Sequence, residues 1–93
     1  MPSLAIALAQ DLIRCPSVTP VEGGALDLLE DRLGALGFTV ERLPFGSGPA
    51  RVDNLIAWRG RGGPHFAFAG HTDVVPVGDP QLWQHDQIGR AHV

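Results

Sequence analysis

The sequence predicts an α/β fold, ordered helix, helix, strand, strand, strand, and incomplete as it stands. Three observations carry this. Apolar residues at helical spacing mark two faces before Gly37. Short β-rich runs follow up to Gly70, separated by Gly- and Pro-rich turns. The last run is the most apolar, yet no covering helix follows it, although buried strands in α/β folds have helices on both faces.

Each element has its own signal. Ser3 is a plausible N-cap for a first helix whose face is Leu4, Leu8 and Leu12. That helix is expected to end near Arg14, because Pro16 disfavours a helical Cys15. Cys15 to Pro20 (CPSVTP) reads as an extended loop. Thr19-Pro20-Val21-Glu22 has the form of a capping box with Pro at the first helical position. Gly23-Gly24 weakens that first turn and allows a later start. Ala25, Leu29, Leu33 and Leu36, supported by Leu26, mark the second helix, and Gly37 suits its C′ position. Phe38 to Leu43 and Asn54 to Trp58 read as strands around a turn at 44–50. Arg59 to Pro64 suits a hairpin, and His65 to Gly70 (HFAFAG) reads as a third strand in a sheet covered on both faces.

Composition narrows the function. All 7 basic residues are Arg, against 10 acidic ones, for a net charge of −3. This excludes a basic nucleic-acid footprint and a polybasic membrane patch. A hydrophobic share of 44% excludes a disordered acidic tail. With 12 Gly and 8 Pro, many turns and short elements are expected. Cys15 stands alone, so neither an internal disulfide nor a Cys-rich zinc ribbon can form. No uncharged run approaches the ~20 residues that span a bilayer. The uncharged start has no basic residues before it and is interrupted by Asp11 and Arg14, which argues against a signal peptide. A cytoplasmic, reducing location is expected.

The chemistry-bearing feature is Gly70-His71-Thr72-Asp73, directly after the apolar run. In open α/β sheets ligands bind at the carboxyl ends of strands. Two residues apart on extended chain, His71 and Asp73 project to the same side. A neutral imidazole is a common zinc ligand, and a carboxylate on its other nitrogen fixes the tautomer. The same spacing also suits an ordinary hydrogen-bonded histidine at a strand end.

Longer motifs add to this reading. They are Leu12-Ile13 with Pro16-Ser17-Val18-Thr19-Pro20; Leu33-Gly34-Ala35-Leu36-Gly37-Phe38 with Val40-Glu41-Arg42-Leu43; Val52-Asp53-Asn54-Leu55; Phe68-Ala69-Gly70-His71-Thr72-Asp73-Val74-Val75-Pro76; and Gly78-Asp79 with Trp83. Through these the chain resembles the N-terminal part of the succinyl-diaminopimelate desuccinylase family, in the di-zinc aminoacylase and peptidase superfamily. GHTDVVP is shared across the superfamily. PSVTP, VDNL and the Gly78-Asp79 spacing before Trp83 favour the desuccinylases, with acetylornithine deacetylases the closest competitor.

The resemblance implies a zinc-exopeptidase-like α/β/α catalytic domain, of which residues 1–86 would be the N-terminal portion. It implies hydrolysis of N-succinyl-LL-2,6-diaminopimelate in lysine and diaminopimelate synthesis. Two zinc ions per subunit, with cobalt as a possible substitute, would lower the pKa of a bridging water and polarise the amide. A homodimer acting on a small N-acyl amino acid, with no nucleic-acid or membrane partner, is implied as well. Carried over by position, His71 matches a metal ligand, and Asp73 matches the catalytic-site carboxylate that supports it. The bridging Asp, the Glu pair, the other ligands and the dimerisation domain lie downstream in the family. The 93-residue chain is therefore expected to be inactive and to bind zinc weakly. A non-catalytic module that kept the sheet is the reading from a different class.

The family pattern continues beyond Trp83-Gln84-His85-Asp86 with Pro-Phe. This chain instead continues with Gln87-Ile88-Gly89-Arg90-Ala91-His92-Val93. A common sequencing-library adapter encodes QIGRAHV, so residues 87–93 are expected to be a non-native tail. Of the remaining polar or aromatic residues, His65, Cys15 and Trp83 are expected to pack or anchor loops. Asp79 is expected to be a turn residue, and His85 and Asp86 to lie in a metal-free loop. Arg59 and Arg61 are expected at a solvated hairpin tip.

Overall fold

A computed structural model describes residues 3–84. In chain order it contains α1 (Leu4–Ile13), α2 (Ala25–Ala35), β1 (Thr39–Phe45), a 3₁₀ turn (Gly48–Ala50), β2 (Val52–Trp58) and a second 3₁₀ turn (Pro80–Leu82). The two-helix, two-strand core of the expectation is present, with both strands longer than the sequence signals suggest.

The helix ends follow local chemistry. Ser3 Oγ accepts the Ile6 amide at 3.1 Å and caps α1. The first turn of α2 is built otherwise than a capping box. Its N-cap is Gly24, and the Glu22 carboxylate accepts the Leu26 amide at 2.8 Å. Thr19 is occupied elsewhere, its amide donating to the Val74 carbonyl. α2 closes on a Schellman motif: Phe38 N–H donates to Leu33 O and Gly37 N–H to Gly34 O, with Gly37 at φ +91°.

β1 and β2 pair antiparallel from Thr39↔Trp58 to Phe45↔Val52. α2 packs on this ribbon. Alternation along β2 sets the faces: Asp53, Leu55 and Ala57 are half-buried, while Val52, Ile56 and Trp58 are exposed. The expected cover on both sheet faces is thus corrected: among the described residues, the second face is open.

The third strand is also corrected. Residues 65–70 join no ladder, and Phe66 and Phe68 are 84% and 92% exposed. The apolar run is there, but a strand needs a hydrogen-bonded neighbour, which local sequence cannot supply. The segment and β2 instead line two sides of an open cleft of about 880 Å³. The Gly-rich 59–64 stretch consequently makes no hairpin.

Ala25 and Leu26 are the buried apolar residues among those described. The Cα radius of gyration is 15.3 Å, against about 12 Å for a compact chain of this length. Charges tie the elements together. Arg32 bridges α2 to Asp11 on α1 at 2.7 Å. Arg42 on β1 reaches Asp27 at 2.8 Å and Glu30 at 3.1 Å on α2.

Candidate metal-ligand site

After the unpaired segment the chain turns back to the loop that follows α1. Val18 and Val74 form a parallel bridge, with Val74 N–H donating to Ser17 O at 2.9 Å and Thr19 N–H to Val74 O at 3.0 Å. Ser17 Oγ donates to the Thr72 carbonyl at 2.7 Å. These bonds hold residues 72–74 against residues 17–19 and give the GHTDV segment a fixed backbone.

His71 and Asp73 come together on that backbone. His71 Nδ1 lies 2.9 Å from Asp73 Oδ1 and 3.1 Å from the Asp73 carbonyl. Both neighbours are acceptors, so Nδ1 carries the proton in the neutral ring. Nε2 then keeps its lone pair. Side-chain exposures of 84% for His71 and 49% for Asp73 leave that nitrogen accessible.

Beside this pair a pocket of about 400 Å³ is lined by Leu12, Ile13, Cys15, Ser17, Thr72 and Val74, with His71 at its edge. Cys15 Sγ donates to Asp11 O at 3.5 Å. Burial, with the charges of Glu22 and Asp11, pushes the thiol above its ordinary pKa, so it is a protonated packing group.

Other candidates fall outside the pair. Among the described residues no three His, Cys, Asp or Glu side chains converge as a metal cage. His65 is exposed in the unpaired segment. Asp79 caps the second 3₁₀ turn through the Gln81 amide. Trp83 Nε1 donates to Val77 O and anchors its loop. His85, Asp86 and the tail at 87–93 lie outside the described residues. Ser17 is the residue that sequence reasoning missed. Its place between two prolines was visible, but its partner is 55 positions away.

The class these features define is an α/β segment that presents one imidazole oriented by a carboxylate. Comparison with known proteins narrows it. Over 85 residues, 90% of this chain, it is 61% identical to the succinyl-diaminopimelate desuccinylase of Rhodospirillum centenum, covering 22% of that protein. It is 64% identical over 75 residues to the enzyme of the same name from Gluconacetobacter diazotrophicus, covering 81% of this chain and 20% of the relative. It is 56% identical over 90 residues to that from Rhodopseudomonas palustris strain BisB18, covering 95% and 23%. Over most of its length the chain is similar to succinyl-diaminopimelate desuccinylases, and it spans about a fifth of the length of the curated relatives it matches. No protein-family model matches it. No helix among the described residues is long and apolar enough to cross a membrane.

Proposed function

We propose that this chain is the N-terminal part of the catalytic domain of a metal-dependent amide hydrolase. The proposed substrate is N-succinyl-LL-2,6-diaminopimelate, cleaved to succinate and LL-2,6-diaminopimelate. The observation that carries the reading is the Asp73 carboxylate on His71 Nδ1 at 2.9 Å, which leaves Nε2 as a free donor. The identity of 56–64% to desuccinylases supports the substrate.

The residues present fit one ligand position. His71 would hold a zinc or cobalt ion through Nε2. Asp73 would keep the proton on Nδ1 and make the ring a stronger donor. The chemistry supplied by two such ions, when bound, would be Lewis acidity that lowers the pKa of water and polarises the amide carbonyl. A zinc site needs three or four protein ligands, and the described residues bring one imidazole toward it. The 93-residue chain by itself is accordingly proposed to be inactive. The longer protein is proposed to be a cytoplasmic homodimer with a small-molecule substrate and neither nucleic-acid nor membrane partners.

The test is the longer protein that contains this segment, purified with Zn²⁺ or Co²⁺. Its release of succinate from N-succinyl-LL-2,6-diaminopimelate is compared with release of acetate from N-acetylornithine. Preference for the succinylated substrate supports the reading. Preference for the acetylated one, or no metal dependence, overturns it.

A further inference from the structure

We propose that Ser17 is a positioning residue for the His71–Asp73 pair, acting through the Thr72 carbonyl. The inference rests on reading that pair as a metal-ligand unit, and it names the group that orients it. His71 and Asp73 are exposed side chains, so packing does not set their geometry. Their shared backbone does. Thr72 lies between them, and its carbonyl accepts the Ser17 hydroxyl at 2.7 Å.

Ser17 is 3% exposed, the buried polar side chain among the described residues. A buried hydroxyl without a partner is costly, so this bond is strongly held. It fixes the peptide plane between Thr72 and Asp73. The neighbouring bonds, Val74 N–H to Ser17 O and Thr19 N–H to Val74 O, involve main chain alone. They survive removal of the hydroxyl. What is lost is control of the Thr72–Asp73 peptide, and with it the alignment of Asp73 on Nδ1. Groups that orient a metal-binding imidazole from outside its ligand shell typically change metal affinity 10–100-fold.

The experiment uses the longer protein that contains this segment, uniformly ¹⁵N-labelled, at pH 8, where an ordinary imidazole is neutral. Long-range ¹H–¹⁵N spectra read the His71 tautomer. Amide signals of 25–35 report whether α2 is intact. Wild type is expected to show a proton on Nδ1. Ser17→Ala, and Ser17→Cys (similar volume, weak donor), are expected to shift His71 toward the Nε2–H form favoured by free imidazole, with α2 signals unchanged. Ser17→Thr, which keeps the hydroxyl, is expected to restore the wild-type pattern. An Nδ1–H pattern unchanged in both Ala and Cys variants overturns the proposal. So does loss of α2 signals together with the tautomer, which makes Ser17 a general fold residue. Titration with Zn²⁺ separates the two levels. In the longer protein stripped of metal, a wild-type His71 with no Nε2 response to Zn²⁺ overturns the metal-ligand reading, whereas the Ser17 variants decide the positioning role. Where Zn²⁺ does bind, the Ala variant is expected to bind about tenfold more weakly.

Discussion

Gly23 and Pro16 meet backbone to backbone. A Cβ on Gly23 would collide with the Pro16 carbonyl and lie 2.9 Å from the Ser17 nitrogen. Gly23 also sits at φ +60°, a conformation that side chains rarely adopt. The loop that docks on residues 72–74 is therefore seated on the start of the second helix through a glycine. Gly23→Ala must shift that loop, and backbone strain of this kind costs on the order of 2 kcal/mol. Thermal unfolding is expected to move down by roughly 10 °C. His71 should lose its Nδ1–H signature in the same variant.

Arg42 is the electrostatic tie between the sheet and α2. The Asp27 hydrogen bond, then that of Glu30, together with the charges of Asp27 and Glu22, raises its guanidinium above an already high pKa. Its charge therefore persists across the working pH range. Its Nε is buried without a partner. Arg42→Ala leaves three carboxylates clustered and is expected to cost about 1 kcal/mol, since partly exposed pairs contribute little singly. Urea unfolding at low and high salt checks this: the loss should shrink at high salt.

Ser3 starts a ten-residue helix that buries none of its residues. Isolated helices of that length are marginal in water. Ser3→Ala is expected to cost about 1 kcal/mol of local helix stability. Amide exchange across Leu4–Ile13 should speed up about fivefold, while exchange in α2 stays unchanged.

The thiol of Cys15 gives a pH dependence with a definite sign. Burial, followed by the charges of Glu22 and Asp11, disfavours the thiolate in the folded chain. The folded pKa is raised, so the associated stability is present below the unfolded thiol's pKa. It is lost as pH rises through that value toward the folded one. Alkylation rate against pH should therefore have a higher midpoint in the folded chain than in urea. Coincident profiles would contradict the burial argument.

What the sequence made legible was local. The Ser3 cap, the leucine spacing of the helices, the Gly37 terminus and the i, i+2 approach of His71 to Asp73 all depend on neighbours within a few positions. What it hid depends on distant chain. The near-continuous apolar run HFAFAG signals an extended apolar segment, but no neighbouring residue can announce its ladder partner. The Thr19 capping box failed because Thr19 is drawn to Val74, 55 residues away, and Glu22 caps the helix from outside it. Ser17 was hidden for the same reason: a serine between prolines says nothing about a carbonyl at Thr72.

His71, oriented by Asp73, is proposed to bind metal in the longer protein. The most direct measurement is zinc content per subunit of that protein, purified in parallel as wild type and His71→Ala. The substitution is expected to remove one zinc ion per subunit and to abolish succinate release. Unchanged zinc content with unchanged activity would contradict it.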